Sequence, residues 1–505
     1  MIRVQRCGWG VAALVLVLAS CGDEGSSSIE TSEQLREALE GAASGDVIEL
    51  ASGATFVGSF SVPGGVTVDG NGAVLEGLSN PLGGPKAVVI LTGGADQATR
   101  LTDVTVVNNA GGVVAVGGGE VAIDRVTVDV SAGFGIAAEG VEALSLSELT
   151  LRGPVTEEML SSIGDEVDPS ELPIAGLMVS NVELSASELD ISGFAGFGAI
   201  VYQSAGTLSA SRIGQCLGVG LLVEASQLEV ASTRVEESYS GRRVGSTIFA
   251  TGVAVTGGSA MTSEGLTIDG VQGVGLLQDN ATSAHADLQV MNNRNFAVWL
   301  QDIAATDAPA FMVRGASAIE NNSGAGIFAR DVAGIDLDGL TVANTATQTR
   351  VDGFRPIEYG DGVQLVGVTG QIAIRNTYLV GNPRVGLLVD GTSEGGAPAP
   401  DFALDAVYVE LGELDEAPLG LIVQNSDAWD RDALLDAFTI PTEVEARDTS
   451  LGVELDLGDK FPNTFSVGSM VGDGLVGSDG FVNPEGEVQS EGVSGDVFIV
   501  IEFGG

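Results

Sequence analysis

Gly112-Val113-Val114, Gly135-Ile136-Ala137, Gly176-Leu177-Met178, Gly198-Ala199-Ile200 and Gly220-Leu221-Leu222 are copies of one short pattern, and their spacing decides the fold. The pattern resumes at Gly252-Val253, Gly275-Leu276, Gly326-Ile327, Gly362-Val363, Gly386-Leu387, Gly420-Leu421 and Gly452-Val453. Ala297-Val298-Trp299 fills the one empty rung. Where nothing is inserted the step is 22 to 24 residues. A period in this range marks a solenoid, in which each repeat hides its apolar side only against its neighbours. A solenoid core has no size limit, so 505 residues require no division into several globular domains.

The composition agrees. Glycine supplies 73 residues without a Gly-X-Y period, in a chain rich in Val, Ile and Leu, which points to strands joined by turns. Asp and Glu number 69 against 21 Lys and Arg, for a formal charge of −48, and the only lysines are Lys86 and Lys460. Such a field repels nucleic acid and acidic polysaccharides unless divalent cations intervene. Nucleic acid is excluded as a partner, and a solvated extracytoplasmic surface is expected.

The N-terminus reads as a targeting segment. Arg3 and Arg6 precede an apolar stretch, Val11 to Leu18, too short to span a bilayer. Leu18-Ala19-Ser20-Cys21 then resembles the bacterial lipobox. That resemblance implies removal of residues 1–20, lipidation of Cys21, a tether over 21–29, and anchorage in the cell envelope through lipid alone. Gly22 stands where an aspartate would retain the protein in the inner membrane, so the outer membrane is favoured. Loss of Arg3 and Arg6 makes the mature chain about two charges more negative. Only Cys216 then remains as a thiol; beside Leu217 and Gly218 it reads as a small buried hydrophobe.

Thr31 to Ala43 reads as a helix with a Thr31/Gln34 capping box, an apolar stripe of Leu35, Leu39 and Ala42, and a stop at Gly45. Gly45-Asp46-Val47-Ile48-Glu49-Leu50, Gly53-Ala54-Thr55-Phe56 and Gly65-Val66-Thr67-Val68-Asp69-Gly70 follow. This order resembles the opening of pectin-lyase-like right-handed parallel β-helix proteins. The resemblance implies an all-β solenoid with three strands per coil and an N-terminal helix plugging its open end. Some fifteen coils at about 4.8 Å each give a rod on the order of 70 Å. The coil from Gly220 fits, with Leu221-Leu222-Val223, Gln227-Leu228-Glu229-Val230 and Thr233-Arg234-Val235, each read as apolar inside and polar outside. Asn-Asn at 108–109, 292–293 and 321–322 resembles the asparagine ladders of that family. The β-helix is assigned to 30–475 and a C-terminal cap to 476–505, with a last strand from Asp496 to Ile501.

Three large insertions precede rung glycines: Pro154 to Ile174, Glu237 to Thr251, and Ala346 to Tyr359. Their rungs are three and then four coils apart, so they should stand in a row roughly 15 and 20 Å apart. The first carries Glu157, Glu158, Asp165, Glu166, Asp168 and Glu171, either a solvated acidic loop or a calcium site without EF-hand spacing. The second carries Tyr239, Arg242 and Arg243, a basic spot suited to a sugar or a carboxylate. The third carries Arg350, Asp352, Arg355, Glu358 and Tyr359, with Asp361 just after it. Together these nine residues, eight on the second and third insertions and Asp361 just after the third, are the candidate ligand site. Structural ion pairing is the competing explanation for the third set.

No catalytic residue and no cofactor or metal is assigned, calcium remaining an option at the acidic loop. Polygalacturonase-like hydrolases share Asn-Thr-Asp, Asp-Asp, Gly-His-Gly and Arg-Ile-Lys. Here Asn344-Thr345 is followed by Ala346, and Gly360-Asp361 by Gly362. The single histidine, His285, sits in Ser-Ala-His-Ala and reads as a surface residue. Arg355-Pro356 and Pro383-Arg384 do not reproduce the arginine motif of pectate lyases. Asp361 is an acid in a slot held elsewhere by Phe134, Phe197, Val219, Val274 and Ala325. The sequence therefore points to a non-catalytic envelope protein that presents a loop-decorated face to a polysaccharide or an envelope protein. A hydrolase, lyase or epimerase acting on a polysaccharide is the alternative, and a purely structural role a third.

Overall fold

One turn of chain shows how the whole is built. Strand Val219–Glu224 carries the rung glycine, Gln227–Ala231 follows, and Arg234–Tyr239 completes the coil. Each pairs in parallel with its counterpart one coil later: Leu221 opposite Val253, Leu228 opposite Met261, Val235 opposite Ile268. The computed structural model describes residues 28–78, 87–108, 111–156, 174–239, 241–243, 246–248, 250–304, 308–352, 355–390, 400–411, 419–424, 445–448, 453–456 and 499–501. Over these it is an all-β, right-handed parallel β-helix, with one helix at its N-terminal end. The last described strand, Ile499–Ile501, pairs with Leu419–Gln424.

The rung glycines are required by close approach. A Cβ on Gly252 would lie 2.6 Å from the carbonyl oxygen of Gly275 and 2.6 Å from a methyl of Ile268. Gly176, Gly198, Gly220 and Gly326 meet the same two obstacles, the next rung's carbonyl and a branched side chain from across the coil. The strand therefore sits flat against its neighbours only without a side chain there. Ala297 shows that one rung has room for a methyl group, and it is fully buried.

The helix spans Ser32–Gly41, shorter at both ends than its sequence signals implied. It stops before Gly45 because Ala42 is already extended, and the side chain of Asp46 accepts the N–H of Ala43 at 2.8 Å. The capping box forms as expected, with Gln34 N–H donating to Thr31 Oγ1 and Thr31 N–H to Gln34 Oε1. Leu35 and Leu39 enter the solenoid core beside Phe56 and Phe60. At the strand edge, Val57 N–H donates to Ser32 Oγ at 2.8 Å and Arg36 donates to Val57 O at 3.1 Å. The helix thus covers both the apolar stack and backbone groups that an end coil leaves open.

Inside, polar side chains stack from coil to coil. Asn322 Oδ1 accepts from the backbone N–H of Asn293 at 2.9 Å and from its Nδ2 at 2.8 Å, and Asn322 Nδ2 donates to Val290 O at 2.9 Å. Asn382 continues the stack, accepting from Thr345 Oγ1 at 3.0 Å. A serine ladder does the same earlier, Ser204 N–H donating to Ser226 Oγ and Ser226 N–H to Ser259 Oγ. These buried side chains bond backbone donors at corners where strand pairing lapses.

Candidate functional site

The ladder order places the three insertions along one edge of the rung sheet. Strand Ala175–Ser180 is three pairings from Thr251–Thr256, which is four from Val363–Val366. Of the first insertion, residues 157–173 lie outside the described residues, as does Cys21. Among the described residues no group of three or more His, Cys, Asp or Glu gathers where a metal would bind.

The second and third insertions are β-hairpins, which their lack of clear alternation did not announce. Gly241–Arg243 pairs antiparallel with Ser246–Ile248, placing Arg242 opposite Thr247 and Arg243 opposite Ser246. Tyr239 ends the preceding strand and packs, half-buried, against Val155, Ala195 and Leu217. Gln348–Asp352 pairs with Arg355–Tyr359, so Asp352 stands opposite Arg355, Arg350 opposite Ile357, and Thr349 opposite Glu358. Asp361 does not join them. It is fully buried and held by Arg384 of the next coil, with Nε to Oδ1 at 2.7 Å and Nη2 to Oδ2 at 2.8 Å. Burial pushes the Asp361 carboxyl up from its ordinary range, and the guanidinium opposes that shift. Its role is to pin the base of the third hairpin to the following coil.

His285 corrects the sequence reading. It is not on the surface but inside the solenoid, 2% exposed. Its Nδ1 lies 2.7 Å from Ser263 Oγ and its Nε2 2.9 Å from Ser283 Oγ, while Ser283 Oγ donates to Gln278 Oε1 at 2.5 Å. Phe311 packs against the ring at 5.5 Å. Burial away from charge lowers its pKa to about 4. A depressed histidine pKa contributes stability that is complete above the unfolded value near 6.5 and is lost as pH falls toward the folded value. From pH 6.5 to below 4 the loss should approach about 3 kcal/mol. Urea unfolding of wild type and His285→Gln across that window should show the variant with the shallower pH dependence; equal dependence would contradict it. Cys216, as expected, is buried, and burial pushes its thiol up to about 12.

The exposed surface of the rung sheet also departs from expectation. The outward column is apolar, not polar: Val114, Ala137, Met178, Ile200 and Leu222 stack in register, one per coil. Further along, the column runs through Ala254, Leu277, Trp299 and Phe328, where Ala254 and Phe328 are buried and Leu277 and Trp299 half-buried. Phe296 stacks on Phe328 at 5.0 Å, with Trp299 edge-on to both. Between Val114 and Leu222 the column is half-exposed and forms the floor of a groove of about 530 Å³. Phe197 borders it on one side; Glu139, Ser180, Tyr202 and Glu224 border it on the other. The first insertion joins the sheet here, directly before Ala175. A signal for this groove was present in the rung pattern: successive strand residues face opposite ways, so two adjacent aliphatics cannot both point inward.

Among the described residues, several arginines are engaged elsewhere. On the coil's other strands Arg212 bonds Glu236 and Asp190, Arg234 bonds Asp269, and Arg314 and Arg375 share Asp336. Glu139 and Glu224 have no ion pair among the described residues, and no Lys or Arg lines the groove.

No protein-family model matches the chain, and no curated protein sequence does either. Solved structures similar to it include an alginate lyase from Paenibacillus sp., at 19% identity over 52% of this chain and 94% of that one, TM-score 0.27. Tailspike protein 3 of bacteriophage CBA120 matches at 12% identity over 87% and 66%, TM-score 0.40. The A-module of a mannuronan C-5 epimerase from Azotobacter vinelandii matches at 11% over 79% and 88%, TM-score 0.31. At this level of likeness no activity carries over to this chain.

Proposed function

We propose that this chain is a non-catalytic binding protein of the bacterial envelope, tethered through lipidated Cys21, that presents the outward face of its rung sheet to an extended ligand. The observation that carries this reading is the half-exposed apolar column from Val114 to Leu222, lying on a continuous parallel ladder. Exposed contiguous apolar surface of this kind marks interaction sites on soluble proteins. His285 and Asp361, which sequence reading singles out for acid–base chemistry, are buried in the core and engaged by Ser263, Ser283 and Arg384. Glycan and protein ligands both fit an elongated face.

A second reading, an enzyme acting on a polysaccharide, draws on one feature: the two paired strands of the third hairpin carry Arg350, Asp352, Arg355, Glu358 and Tyr359. One screen separates the two. The full chain, offered neutral and acidic polysaccharides with and without calcium, is expected to release no oligosaccharide; release of fragments or of unsaturated ends would overturn the non-catalytic reading. For the tether, Cys21→Ser is expected to move the protein from the membrane to the soluble fraction, and its retention with membranes would refute lipidation.

A further inference from the structure

The apolar groove on the rung sheet carries an inference about its ligand, which rests on the binding reading above. We propose that it takes an extended polypeptide segment bearing apolar side chains and lysine or arginine, and not a glycan. The floor decides between the two classes. Val114, Ala137, Met178, Ile200 and Leu222 offer only aliphatic carbon and a thioether, and the strand N–H and C=O groups beneath them are committed to the parallel ladder. Sugar hydroxyls pressed onto that floor lose water without gaining partners, at a cost of about 1–3 kcal/mol for each group left unbonded. Leucine- or valine-like side chains gain there instead, at about 25 cal/mol for each Å² buried.

The rim decides the charge. Glu139 and Glu224 border the groove three coils apart, about 14 Å along the axis. An extended chain covers that distance in about four residues, and residues four apart in a strand face the same way. Long basic side chains reach such a rim while their methylene stems lie on the apolar floor. The formal charge of −48 raises the local concentration of a basic ligand and rules against a second copy of this chain as the occupant.

The test uses the full chain and fluorescently labelled short peptides read by anisotropy: one alternating leucine and lysine, one alternating serine and lysine, and one alternating leucine and glutamate. A soluble neutral glucan is the fourth probe. The leucine–lysine peptide is expected to bind at least about tenfold more tightly than either control peptide. Ile200→Ser with Leu222→Ser should abolish that preference. Glu139→Gln with Glu224→Gln should weaken binding about fivefold and flatten its salt dependence. All four positions face outward, and thermal unfolding of each variant checks that the ladder is intact. Equal binding of the serine–lysine peptide would overturn the inference, since diffuse acidity would then suffice, and so would undiminished binding by the groove variants. Glucan binding that the Ile200/Leu222 variant loses, with no peptide preference, would sink the polypeptide assignment while leaving the binding face. If the groove variants alter no ligand at all, both readings fall.

Discussion

Asp361→Ala is expected to destabilise the protein by about 4 kcal/mol, because it removes the carboxylate that the buried Arg384 guanidinium bonds twice. Asp361 is fully buried and Arg384 is 6% exposed, and the two hydrogen bonds between them are short and parallel. Chemical denaturation of the variant reads the loss directly. Asp361→Leu combined with Arg384→Met should recover most of it, since an apolar pair of similar volume carries no desolvation penalty. If the double variant is as unstable as Asp361→Ala, the residues act through something other than their mutual charge. A polysaccharide-active role for Asp361 predicts the opposite pattern, with stability retained and an activity lost.

Gly252→Val should cost about 3 kcal/mol or more, although valine suits strands far better than glycine. The added Cβ meets the Gly275 carbonyl and the Ile268 methyl at 2.6 Å, and backbone on that side cannot yield without parting two coils. Limited proteolysis should then cut near the second hairpin, where the 241–248 insertion joins the strand beginning at Thr251. A substitution at the exposed Gly53, around which a Cβ meets nothing within 4 Å, serves as the control for the loss of a glycine as such, apart from its left-handed backbone at φ +69°. Wild-type stability for Gly252→Val would mean that the rung period has some cause other than steric closeness.

The solenoid was legible because the rung glycines answer a local steric demand that recurs with every coil. The helix cap was legible for a similar reason, Thr31 and Gln34 satisfying backbone groups within one turn. Corners were much less so. The turns at Glu148, Glu188, Ala210, Ser232 and Asp287 all adopt left-handed backbone without a glycine to mark them. There the flanking ladders hold the residue in place, so tertiary structure overrides local preference.

Partners across coils were half legible. Asp361 and Arg384 are 23 residues apart, and Ser263 and His285 are 22, each one coil step. Period alone brings such pairs into register, but it does not say whether they meet in water or in the core. His285 was misplaced for that reason: Ser-Ala-His-Ala alternates like any strand, and only the neighbouring coils show that its histidine takes the inward side.

What the sequence determined by itself is the architecture, because a glycine and its aliphatic neighbours state a local requirement that one chain segment can express. What only the tertiary structure decided is which surfaces are covered. The outward column has the same apolar character from Val114 to Phe328, yet Phe296 stacks over Phe328 at one end while from Val114 to Leu222 the column floors a groove. Exposure is a property of everything standing over a residue, and along a solenoid those neighbours come from other coils and insertions.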